Sequence, residues 1–110
     1  MQHIDENMMN TQLRELKTFI NDKGQLTSYP AKHKKKLMAL WYLADKIDMD
    51  REYSEPEINS LINSLHTFGD QATLRRELIN KRLLFRSTDC SRYWAEENDD
   101  TFEAFMQRFI

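Results

Sequence analysis

The chain has 110 residues, 16 Lys and Arg against 18 Asp and Glu for a net charge of -2, and 40% hydrophobic residues that include 12 aromatic side chains. That length supports one modest core and not two, and the apolar share is too high for wholesale disorder. Only 2 Gly and 2 Pro disfavour a turn-rich β architecture, and a single cysteine, Cys90, excludes an internal disulfide.

The charge is unevenly spread. Residues 13–94 carry 15 basic and 11 acidic side chains, whereas residues 95–110 carry 5 acidic and 1 basic. A basic middle can meet a polyanion even in a chain that is acidic as a whole. No apolar run approaches the roughly 20 residues that cross a bilayer. The first ten residues are polar and acidic, unlike a signal peptide. A cytoplasmic protein with no membrane partner is the expectation.

In chain order, residues 1–8 read as a loose leader. Met9, Leu13, Leu16 and Ile20 recur at helical spacing, so a first helix is expected to end near Gly24. Residues 25–29 read as a short edge strand before Pro30, which also helps to start the next helix. Leu37, Leu40, Trp41, Ala44 and Ile47 place one face of that helix on a core.

Ser54-Glu55-Pro56-Glu57 has the form of a capping box, in which the Ser54 hydroxyl and the Glu57 carboxylate each accept from the other's backbone N–H. Tyr53 and Ile58 occupy the positions of a hydrophobic staple across it. Ile58, Leu61, Ile62 and Leu65 then give the capped helix its apolar stripe. After the break at Thr67-Phe68-Gly69, Asp70 can cap a new helix, the third of a winged-helix plan, with Ala72, Leu74, Leu78 and Ile79 on its inner side. Leu84-Phe85-Arg86 and Arg92-Tyr93-Trp94 flank the polar residues 87–91 and read as a hairpin. Asp99, Asp100 and Thr101 precede a last helix with Phe102, Phe105, Met106 and Phe109 on one face. The order predicts an α+β, mainly helical winged helix-turn-helix with a small β-hairpin wing and extra terminal helices. Residues 9–97 form the domain, and residues 98–110 form an amphipathic helix that packs on it or on a dimer partner.

A winged helix sets the early residues of its third helix against base edges while the hairpin and other helix ends hold phosphates. At about 100° per residue, Leu74 and Leu78 point inward together, while Thr73, Arg76, Glu77 and Asn80 gather on the opposite arc. Gln71, Thr73, Arg76 and Asn80 are the expected base contacts: guanidinium suits guanine and a carboxamide suits adenine. Arg75, nearer the apolar border, joins Lys34, Lys35, Arg86 and Arg92 as the expected phosphate contacts. A solvated helix face explains the same residues more plainly, and Glu77 opposes a phosphate. Lys32 to Lys36 crowd a helix start, where cations oppose the helix dipole and a phosphate would relieve both.

Catalysis is not expected. His3, His33 and His66 are scattered, no metal-ligand spacing exists, Gly24 and Gly69 stand alone, and Cys90 lies in a turn. No cofactor is implied.

The runs L-T-S-Y-P-A-K-H-K-K-K-L from Leu26 to Leu37, Y-S-E-P-E-I-N from Tyr53 to Asn59, A-T-L-R-R-E-L from Ala72 to Leu78, and Arg92-Tyr93-Trp94 resemble an uncharacterised bacterial domain family. That family occurs as small stand-alone proteins and, in some members, fused to ArsR-type transcriptional regulators. The resemblance covers roughly residues 13–97. It implies a winged-helix-like domain linked to transcription, and no catalytic residue or ligand. T-L-R-R-E-L is also similar to the T-I-R-R-D-L recognition helix of DeoR-type repressors. Such helices commonly end in a glycine before two leucines, and Arg82 stands there instead. The expected function is a small DNA-binding transcriptional regulator acting on double-stranded DNA as a homodimer. The alternatives are a winged-helix module that recruits a protein partner, and a sensor with a small ligand beside the C-terminal helix.

Overall fold

The computed structural model describes residues 14–97 and 101–109. Met9 and Leu13 of the first expected helix, and Asp99 and Asp100 before the last, lie outside that range. Residues 14–16 are helical and run into a 3-10 turn at Lys17–Phe19. The named elements that follow are α1 (His33–Ala44), β1 (Glu52–Tyr53), α2 (Glu55–Ser64), α3 (Gln71–Asn80), β2 (Phe85–Arg86), β3 (Tyr93–Trp94) and α4 (Phe102–Phe109). The architecture is α+β, about half helical, with one small antiparallel sheet.

The expected edge strand at residues 25–29 is not formed. Leu26 makes two isolated bridges instead, antiparallel to Ile20 and parallel to His66. The reason is local. The Asn21 carboxamide oxygen accepts from the N–H groups of Lys23 and Gln25, both at 2.9 Å, which folds the chain tightly at Gly24. Pro30 then removes a ladder donor on the other side. Leu26 is left fully buried as a clasp, its N–H bonded to the Leu65 carbonyl at 2.9 Å and its carbonyl to Thr67 N–H at 3.0 Å.

α1 starts at His33, three residues after Pro30, with Lys32 in the cap position and no side chain capping it. It is the central helix: Leu37, Met38, Ala39, Leu40 and Leu43 are all buried. Ile47, expected on the same helix, is buried just beyond its end. α4 lies against α1, with the Trp41 ring edge-on to Phe102 at 5.6 Å and tilted on Phe105 at 4.9 Å. The terminal aromatic stripe is thus covered within the chain itself: Phe102, Phe105 and Met106 are buried. Thr101 Oγ1 starts that helix by accepting from Ala104 N–H at 3.0 Å.

The capping box of α2 is formed as its sequence requires, with Glu57 N–H donating to Ser54 Oγ at 3.2 Å and Ser54 N–H to Glu57 Oε1 at 2.8 Å. The bond from the Ser54 amide, before all other causes, holds the Glu57 carboxyl below the usual carboxylate range. Tyr53 and Ile58, the expected staple, are both buried.

The expected hairpin is present, and β1 extends it to three strands in the order β1-β3-β2. Tyr93, in the middle strand, stands opposite both Tyr53 and Arg86, while Trp94 stands opposite Glu52 and Phe85. Tyr93 is the buried member of that pair. Its neighbour Trp94 turns the other way and stacks on Phe85 at 6.3 Å.

Candidate nucleic-acid interface

α3 is anchored by Leu74 and Leu78, both fully buried. Ala72, expected beside them, is exposed, because two residues before Leu74 lies about 200° around a helix that turns about 100° per residue. The N-terminus of α3 is fixed by two devices. Asp70 accepts from Thr73 N–H at a long 3.4 Å. The stronger one is His66, which is only 4% exposed. Its Nε2 accepts from Asp70 N–H at 3.0 Å and its Nδ1 lies 2.8 Å from the Ile62 carbonyl. An amide N–H can only donate and a carbonyl can only accept, so the ring proton sits on Nδ1. One imidazole therefore ties the last turn of α2 to the first residue before α3, with its ring edge-on to Phe68 at 4.6 Å. Sequence reasoning gave His66 no role. The signal available was a histidine placed between the α2 stripe and the Phe68-Gly69 break, where a turn leaves backbone donors to satisfy.

The two adjacent arginines of α3 are separated in role. Arg75 donates to the Asn59 carboxamide oxygen on α2, pairs with Glu55 at 3.6 Å with 22% of its side chain exposed, and lies over the Tyr93 ring at 5.9 Å. It joins α2, α3 and the central strand, with its Nη1 turned to the protein rather than to a phosphate. Arg76 is exposed and has no polar partner among the described residues. Asn80, one turn further on, is also exposed, with a 3.5 Å contact to Glu77. Lys81 bonds Glu77 at 3.3 Å, so the one carboxylate on this arc is held by a cation from its own helix. Gln71 and Thr73 are half-buried in the first turn, and Gln71 Oε1 is buried without a hydrogen-bond partner.

An open groove of about 580 Å³ runs between the end of α3 and the hairpin. Asn80, Arg82 and Arg86 line it with Ser87 and Thr88, over Ile79, Leu84 and Phe85. Arg86 also donates to the Ser87 carbonyl at 3.4 Å and to Cys90 Sγ at 2.9 Å. The turn between the strands is locked by Asp89, which accepts from the Ser87 and Ser91 hydroxyls at 2.8 and 2.7 Å. Those bonds, Ser91's first, pull the Asp89 carboxyl down to about 2.

The remaining expected contacts lie elsewhere. Arg92 pairs with Glu52 of β1 at 3.6 Å, both side chains well exposed, a pair of little energetic weight. Lys35 places its ammonium over Phe19 at 5.8 Å. Lys34 is exposed on the first turn of α1, and neither lysine borders the groove. Beside them Tyr29 is half-buried under Lys36 at 5.4 Å. Burial, and then the Glu77 charge, raise its hydroxyl to about 12. Among the described residues no helix is long and apolar enough to cross a membrane, and no group of side chains could hold a metal ion.

Fold and site together define a small α+β domain that presents one polar helix face and an adjoining hairpin with exposed guanidinium groups. Residues 25–95 match DUF2087, described as uncharacterized proteins conserved in bacteria, and the chain belongs to that family. No curated protein and no solved structure matches it.

Proposed function

We propose that this chain is a bacterial transcriptional regulator that binds double-stranded DNA through a winged helix-turn-helix. The observation that carries this reading is the face formed by Arg76 and Asn80 on α3 beside the groove that holds Arg82 and Arg86. The element order α1-β1-α2-α3-β2-β3, with β1 closing on β3, supports it. In this reading Arg76, Asn80, Gln71 and Thr73 meet base edges in the major groove, and Arg86, Arg92 and Lys34 meet phosphates. Arg75 acts from behind, as the strut that sets the tilt of α3. A cytoplasmic setting goes with the function. Paired half-sites would require a dimer, and since the α4 stripe is occupied by α1, the dimer contact would lie on another surface.

The test is titration of the full chain against DNA duplexes over a range of salt. About three phosphate contacts give a slope of log affinity on log salt near -3. Affinity that does not respond to salt, or that survives Arg76→Ala unchanged, defeats the proposal. A second reading, docking of a protein partner, is favoured by one feature. A cavity of about 240 Å³ walled by Trp41, Ile47, Leu83 and Ala95 opens beside Met49, which is 55% exposed. Binding through that cavity would depend on Met49 and barely on salt.

A further inference from the structure

α3 ends at Asn80 and the chain reverses through Lys81 and Arg82. Arg82 N–H donates to the Ile79 carbonyl at 3.0 Å and Leu83 N–H to the Leu78 carbonyl at 2.9 Å, the paired bonds of a Schellman turn. That turn needs a left-handed residue after the cap, and glycine takes the position without steric cost. Here it is Arg82, at φ 60°. Its guanidinium does nothing to hold the turn. The residue is exposed, and no hydrogen bond or ion pair joins its side chain to any described residue.

What Arg82 does border is the groove between α3 and the hairpin. Among the described residues, two guanidinium groups, one carboxamide and two hydroxyls line that groove, and no carboxylate does. The other cavity that Arg82 touches contrasts with it, since Asp45, Glu96 and Glu97 line that one. The groove is therefore an anion site by composition. It is open to solvent, and Asn80 in its lining lies one turn from the exposed Arg76. That shape suits a chain passing through better than a small ion enclosed.

We propose that this groove receives a phosphodiester of the DNA backbone, with Arg82 and Arg86 supplying the charge and Asn80 and Thr88 the hydrogen bonds. The proposal rests on the DNA-binding reading and adds to it a contact residue, Arg82, and a consequence. The residue that grips the strand sits where the backbone would favour glycine, so binding and stability are set against each other at one position.

The experiment compares the full chain with Arg82→Gly, Arg82→Lys and Arg76→Ala, measuring melting temperature and the salt dependence of binding to a DNA duplex. Arg82→Gly is expected to melt above the wild type by roughly 3–6 °C and yet to bind more weakly, its salt slope shallower by about 1. Arg82→Lys, which keeps the charge, is expected to retain the wild-type slope. If Arg82→Gly binds with unaltered affinity and slope while Arg76→Ala weakens binding, the groove proposal is overturned and the DNA-binding reading stands. If the wild type binds no duplex even at low salt, both fall.

Discussion

The Arg75 guanidinium donates to the Asn59 carboxamide oxygen, so the first of two neighbouring arginines on α3 faces α2 while the second, Arg76, faces solvent. Hydrogen bonds to a charged group contribute more than neutral ones, and removing one partner leaves the other to be satisfied anew. Arg75→Ala is expected to destabilise the fold by about 1–3 kcal/mol, read as a lower denaturant midpoint. Arg76→Ala should lie within roughly 0.5 kcal/mol of wild type while weakening DNA binding about tenfold or more, one base contact's worth. Equal stability effects from the two changes would contradict this division of roles.

His66 bridges the end of α2 and the start of α3 from a buried position. His66→Ala would empty a buried site and leave Asp70 N–H without its acceptor. A loss of about 2–4 kcal/mol is expected, together with faster amide exchange at the start of α3. Unchanged protection at Asp70 would show that the imidazole does not hold that turn.

The hairpin turn should respond to acid. Asp89 titrates at about 2 in the folded chain against an ordinary 3.8. A lowered folded value means that its contribution is complete above the ordinary value and disappears as pH falls toward the folded one. The Ser91 amide signal should therefore be little changed at pH 3.8 and reach the midpoint of its shift near 2. A transition centred at the ordinary value would mean that the serine bonds are absent in solution.

Phe105 links α4 to Trp41 on α1. Phe105→Ala should cost about 3–5 kcal/mol without changing how the unfolding midpoint depends on protein concentration, because the contact lies within one chain. A concentration dependence seen in the wild type and lost on Phe105→Ala would place α4 between copies instead.

Much of the fold was legible in the chain. The capping box at Ser54, the Leu74 and Leu78 spacing and the turn formers between Arg86 and Arg92 are local signals, complete within a few residues. The misreadings arose where a tight turn or a distant element overrode the local composition. Residues 25–29 have strand-forming composition, yet Leu26 is drawn into single bridges by Ile20 and His66. The clasp made by His66 is invisible until α2 and α3 are folded against each other.

The sequence alone determined where helices start, which stripes are apolar and that one α3 face is polar, because those properties depend on neighbours three or four residues away. Only the tertiary structure decided which arginine is free. Arg75 and Arg76 are adjacent and chemically identical, and what separates them is Asn59 on α2 and Tyr93 on β3, brought close by packing. Arg82 and Arg86 likewise share a groove only because the Schellman turn folds the hairpin back beside α3.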